Sequence, residues 1–357
     1  MAALERHFDT SNWHQQLKHN NCPRTSGPVA QLGARFHGME EVVGSIPTRS
    51  TKFFSRTSTV FSTAIHTLQS FARLVLGFFA LAASLPASAA PWNVSNQPVR
   101  LVNGTPVLFR VTTRKPFRSL SGNWLGHDVT FTFDPRDKAW FALAGTSFET
   151  KPGSYPIALH AETSAGQAIS FQKNFRVYGQ HYPQVPLKVA GRYTAPNPED
   201  QAEIAKDKET KSEIFKTLTA DRKWKGSFVA PANAEISDVF GVQRVFNGTV
   251  QSTHQGLDFR VPTGTPVTAV NRGRVILARP LFFEGNCIVI DHGQGLLTLY
   301  LHLSKFSVKE GDDVDKGQEI GFSGGTGRAT GPHLHLAVRW QGIYLDPQVL
   351  LKLQLPN

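Results

Sequence analysis

The chain has 357 residues, of which 40% are hydrophobic, 10% aromatic and 18% charged, with 30 Gly and 22 Pro. That composition excludes a disordered or fibrous chain, and its many Phe, Val, Thr and Gly residues disfavour a helical bundle and point to two folded β units. The formal net charge of +11 at pH 7 suits a polyanionic partner, but no basic stripe interleaved with aromatics accompanies it, so no nucleic-acid partner is expected.

In chain order, the first signal is an uncharged apolar run at residues 74–85, preceded by Arg73 and followed by Ala87, Ser88 and Ala89. About a dozen residues fall short of the ~20 that cross a bilayer, whereas the flanking charge and small residues fit an export signal. Residues 60–90 are therefore read as a signal peptide cleaved after Ala89 or Ala90, which implies an exported protein with no stable membrane span in the mature chain. Export signals begin close to the start of translation, and this one begins late. Residues 1–59 are read as a spurious or disordered N-terminal extension, because the stretch 27–51 resembles the accidental translation of a transfer-RNA gene. Cys22 and Cys287 lie far apart with no CxxC, so they supply neither a disulfide framework nor a zinc finger.

Residues 91–195 are read as an accessory β-sandwich of immunoglobulin-like type. Short alternating runs at 99–102, 106–111, 129–133, 140–143, 155–161 and 169–171 are spaced by turn signals, and Asn103-Gly104 is a hairpin dipeptide. His127 and His160 stand alone there. Residues 196–225 are read as a charged helical linker, with Asn197 as N-cap, Pro198 at the first helical position and acids in the first turn. Its sparse apolar residues, Ile204, Ile214, Phe215 and Leu218, give a narrow stripe, which predicts a solvated connector packed lightly on a neighbour. Residues 226–357 are read as a second β domain. Runs at 267–270, 273–277, 287–290, 297–301, 319–322 and 335–339, joined by Gly-rich turns, predict a rolled antiparallel sheet. The fold class is thus mainly β.

Four histidines and one aspartate in this last domain carry zinc-site chemistry: His254, Asp258, His302, His333 and His335. His333 and His335 are two apart in an apolar stretch, so a strand sends both to one face. Gly256 and Val261-Pro262 place His254 and Asp258 on a loop entering a strand, from which both can still converge on one ion. In 299–303 leucines alternate with Tyr300 and His302, so a strand sends His302 to the face opposite its leucines. His292, in Asp291-His292-Gly293, reads as a turn residue. Catalytic zinc uses three protein ligands and an open position, so five candidates compete for three places. Polar groups embedded in apolar strands need partners.

Phe240-Gly241 with Arg244, then His254-Gln255-Gly256-Leu257-Asp258-Phe259, Val261-Pro262-Thr263-Gly264-Thr265-Pro266-Val267, Ile290-Asp291-His292-Gly293, Tyr300-Leu301-His302-Leu303, and Ser323-Gly324-Gly325-Thr326-Gly327 with Gly331-Pro332-His333-Leu334-His335 resemble the M23 family of zinc metallopeptidases, the LytM or lysostaphin-type peptidoglycan endopeptidases. The match is continuous and ordered over about residues 236–350, which makes 226–357 an M23-type peptidase domain. The resemblance implies that His254, Asp258 and His335 bind one Zn²⁺ per chain. His302 and His333 would then face its open side as catalytic groups, one of them a general base. It further implies a zinc metalloendopeptidase, which the export signal places in the periplasm or cell envelope; a monomer is expected. Its substrate would be peptidoglycan, with amide bonds of stem peptides or crossbridges hydrolysed by a metal-activated water. The rival implication is a non-catalytic LytM-type regulator that activates a cell-wall amidase. Such regulators have lost metal ligands, and all are present here. The glycine-rich 323–331 loop is expected to wall the substrate groove. The β domain ahead of the peptidase resembles that of some bacterial members and would either target or obstruct the enzyme.

Overall fold

Alternating apolar residues build the N-terminal half into two facing sheets. The structure, a computed structural model, describes residues 92–186, 193, 196–246 and 249–356. The expected extension at 1–59 and signal peptide at 60–90 lie outside these residues. One sheet runs in the order Asn93–Gln97, Pro106–Thr112, Ala139–Gly145, Thr132–Asp134, and the other in the order Leu101–Val102, Ala168–Tyr178, Gly153–Thr163, Phe117–Trp124, His127–Thr130. Phe109 of the first sheet meets Trp124 and Phe175 of the second at 5.1 and 5.3 Å between ring centroids. Trp124 is fully buried and donates its indole N–H to Gly145 O at 3.0 Å, so the polar end of this large core residue is satisfied.

Two readings of this half change. The 129–133 run is not one strand: Phe131 breaks it, and the chain leaves the second sheet at Thr130 and joins the first at Thr132. Asn103-Gly104 does form a turn, with Gly104 at φ 81°, but the strands on either side belong to different sheets rather than to a hairpin. Asn103 instead ties that turn to distant segments, donating to Phe148 O and accepting from Gln180 N.

The linker helix α1, Pro198–Ile214, starts where its signals place it: Asn197 accepts a side-chain hydrogen bond from Asp200 N. It is docked more firmly than a solvated connector. Lys211 Nζ sits 2.5 Å from Glu284 Oε1 with side chains only 17% and 5% exposed, and Asp207 accepts from Phe282 N at 2.6 Å. At the C-terminal end of α1, Ile214 and Phe215 pack over Leu277, Cys287, Val289 and Leu299.

The C-terminal half is a rolled antiparallel sheet in the order Ile236–Asp238, Gly256–Phe259, Leu334–Trp340, Leu296–Leu303, Gly285–Asp291, Gly273–Leu281, Asp313–Val314, with Ile343–Leu345 pairing beside Leu334–Trp340. A second sheet orders Pro266–Thr268, Glu319–Phe322 and Lys305–Phe306, and a third sets Gln184–Pro186 parallel to Gln243–Phe246, which pairs with Thr249–Thr253. The main sheet is covered on both faces, which is why its central strands read as continuous apolar runs. One continuous core also joins the two halves of the molecule. At that joint a Cβ on Gly145 would lie 2.8 Å from Leu345, and Asp346 N donates to Gly104 O at 2.7 Å. No helix among the described residues is long and apolar enough to cross a membrane.

Candidate metal centre

The site begins with one strand register. Gly256–Phe259 pairs antiparallel with Leu334–Trp340 so that Asp258 stands directly opposite His335, and directly opposed residues on one face lie within reach of each other. Asp258 Oδ1 and His335 Nδ1 are 2.7 Å apart. His254, just before the strand, completes the cluster: its Nε2 is 3.1 Å from Asp258 Oδ1 and 3.0 Å from His335 Nδ1. All three are buried. Gly256 makes the close packing possible, because a Cβ there would fall 2.3 Å from His335 Nε2 and 2.6 Å from Leu336 O.

The donor set fits a cation. His254 Nδ1–H donates to Val239 O at 2.8 Å, which leaves Nε2 of the neutral ring with a lone pair. That lone pair faces an ionised carboxylate, a contact between two acceptors, and a metal ion shared by His254, Asp258 and His335 resolves it. An imidazole, carboxylate and imidazole set is the ligand chemistry of zinc. Burial opposes ionisation of Asp258, but the adjoining His254 and His335 side chains outweigh it and hold the carboxyl well below the usual range. Burial pushes His335 down to about 4 against the pull of Asp258. Arg244 braces the acid side, 3.5 Å from Asp238 and 3.8 Å from Asp258, and Asp238 in turn lies 3.4 Å from His254 Nδ1.

The two remaining histidines flank the cluster. The His302 ring lies 4.8 Å from His333 and 6.1 Å from His335, centroid to centroid, and His333 Nε2 is 3.9 Å from Asp258 Oδ1. Each donates Nδ1–H to a backbone carbonyl at 2.8 Å, His302 to Thr326 and His333 to Gly331. Both accepting carbonyls belong to the 323–331 loop, which is pinned by a bridge between Gly324 and His333. The shared tautomer leaves Nε2 of both rings unprotonated. Burial, reinforced by His335 and His333, pushes His302 down to about 3.

His302 does not sit in a regular strand. It has φ 63°, its N–H donates to Glu284 O, and the pairing with Gly285–Asp291 shifts register at this point. Leu299 and Leu301 therefore fall in one core while Leu303 falls with Tyr300 in the other. The structure thus brings all five predicted side chains together, and adds Val239 O, Asp238, Thr326 O and Gly331 O as supports. Backbone carbonyls carry no residue-type signal, so only Asp238 among these was open to sequence reading. His292 is fully buried at its turn, donating to Arg272 O and accepting from Thr298 Oγ1, and takes no part in the cluster.

The model of peptidase family M23 matches residues 252–347, the stretch that holds all five side chains. This segment is an M23 peptidase domain. Among M23 relatives, the peptidoglycan DD-endopeptidase ShyA of Vibrio cholerae is 43% identical over 122 residues, which are 34% of this chain and 26% of that protein. The DD-carboxypeptidase/endopeptidase Mpg of Neisseria meningitidis is 46% identical over 94 residues, 26% of this chain and 22% of its own. The chain thus spans about a quarter of the length of the curated relatives it matches. A solved structure from Pseudomonas aeruginosa, assigned to peptidase M23, aligns with TM-score 0.54 and 27% identity over 71% of this chain and 95% of that one. Its likeness extends beyond the family-matched residues to much of the described chain.

Proposed function

We propose that the protein is an exported, zinc-dependent endopeptidase that hydrolyses amide bonds in the stem peptides or crossbridges of peptidoglycan within the bacterial envelope. The observation that carries this reading is the convergence of His254 Nε2, Asp258 Oδ1 and His335 Nδ1 beneath two further imidazoles. M23 relatives named for peptidoglycan DD-endopeptidase activity support the substrate. A zinc ion on these three ligands, one per chain, would supply Lewis acidity to a water molecule and to the scissile carbonyl.

The remaining chemistry falls to the chain. His302 and His333 present Nε2 lone pairs, so either can take the proton of an attacking water and return it to the departing amide nitrogen. The carbonyls of Thr326 and Gly331 hold both rings in that tautomer, so no reorientation is needed as a proton moves. Once protonated, the same Nε2–H can donate to the developing oxyanion. The 323–331 loop therefore wall-lines the groove and orients its two proton-handling groups. An intact His/Asp/His set favours this hydrolase over a non-catalytic amidase regulator.

Incubating the protein with purified peptidoglycan, with and without a chelator, tests the proposal by mass spectrometry of the released muropeptides. New amino and carboxyl termini that vanish with the chelator are expected. An absence of cleavage in the zinc-loaded protein would turn the reading toward the regulator.

A further inference from the structure

The loop between the Glu319–Phe322 and Leu334–Trp340 strands carries a guanidinium that makes no direct ion pair with an acid among the described residues. Arg328 lies between Thr326 and Gly331, whose carbonyls hold His302 and His333. Its backbone N–H donates to Phe283 O at 2.8 Å, and its guanidinium lies over the Phe283 ring, 4.8 Å from the centroid. These contacts keep the half-buried side chain beside the site instead of releasing it into solvent. Among the described residues its N–H donors have neither hydrogen bond nor ion pair. The nearest acid, Glu284, is shared: its Oε1 is held by Lys211 at 2.5 Å, and it acts on Arg328 only through its charge. Burial, and then the charge of Arg244, disfavour its cation more than Glu284 and Tyr193 favour it, so an anion arriving there relieves the remaining cost.

We propose that Arg328 is a specificity-determining residue that receives a carboxylate carried by the substrate next to the scissile amide. The inference rests on the hydrolase reading above and deepens it from an amide bond to an amide flanked by a free acid. A guanidinium lying on an aromatic ring keeps the edge of its fork open, and that edge matches a planar carboxylate with two parallel hydrogen bonds. Because the Arg328 loop also holds His302 and His333, a carboxylate seated there places the neighbouring amide against the same loop that positions the proton-handling rings.

The test uses two cross-linked muropeptides that differ only in whether the carboxyl beside the cross-link is free or amidated, with kcat/KM measured on each. The zinc-loaded wild type is expected to prefer the free acid by roughly 10- to 100-fold, the size of a charge-assisted hydrogen bond. In Arg328→Gln the ratio should fall to near one, and in Arg328→Lys it should fall part-way, since a point charge remains without the fork. The ratio is taken within each variant, so a general loss of activity does not imitate the effect. A wild-type ratio near one, or a ratio that survives Arg328→Gln, overturns the assignment of Arg328 while leaving the hydrolase reading intact. Failure of the wild type to cleave either muropeptide overturns both.

Discussion

At His302 the backbone decides where the side chain goes. A left-handed φ of 63° costs a non-glycine residue about 1–3 kcal/mol, and the cost is met by hydrogen bonds at both ends of the residue, N–H to Glu284 O and Nδ1–H to Thr326 O. The residue types of the cluster were legible: five zinc-type side chains stood in one domain. The kink that turns His302 into the cluster was not, because alternation alone extrapolates a regular strand through residue 303. Two substitutions separate the roles. His254→Ala should abolish zinc binding and hydrolysis together, whereas His302→Ala should keep most of the zinc and lose turnover by at least ~100-fold, as measured by metal analysis beside a hydrolysis assay. Gly256→Ala tests the packing. With its Cβ 2.3 Å from His335 Nε2 and 2.6 Å from a backbone carbonyl, the imidazole must shift, and zinc affinity in a chelator competition should fall by roughly 10–100-fold. Wild-type affinity in that variant would show that the His335 position tolerates the shift.

At the scale of elements, α1 illustrates what a charge pattern hides. Asn197, Pro198 and the first-turn acids marked its start, because capping is local chemistry. Its docking depends on Asp207 and Lys211 meeting the tip of the Gly273–Leu281 and Gly285–Asp291 hairpin, and in the sequence these two look like any other solvated charges. Glu284 is the pivot: its carboxylate binds Lys211 while its carbonyl accepts from His302 N–H. Lys211→Met leaves a buried carboxylate without its cation, which should cost about 3–5 kcal/mol in denaturant unfolding. Adding Glu284→Gln should recover much of that loss. If Lys211→Met unfolds like the wild type, α1 is the solvated connector that its composition suggests.

At the scale of the whole molecule, two β-rich halves were legible from their alternating runs and a helical connector from its caps. How the halves join was not. The joint uses a missing side chain at Gly145, a backbone donor at Asp346, and a turn at residues 291–295 that receives the connector through Lys223 N to His292 O and Gln294 N to Thr219 O. That turn carries a pH signature. Burial pushes His292 down to about 4, against about 6.5 in the unfolded chain. Between those values the unfolded chain binds more protons, so stability is full above about pH 6.5, falls as the pH drops, and levels off below about pH 4. The loss amounts to about 3 kcal/mol, readable as a falling urea midpoint in zinc-loaded protein. His292→Gln should flatten this part of the profile, and an unaltered slope would assign it to other groups.

The central claim is that three side chains from two paired segments of one sheet hold the ion on which hydrolysis depends. Titrating zinc into metal-free protein, while following bound metal and release of peptidoglycan fragments in the same sample, tests it most directly. The account predicts that cleavage rises in proportion to bound zinc and saturates at one ion per chain. Full cleavage by the metal-free protein, or stoichiometric zinc binding with no cleavage at any level, would contradict it.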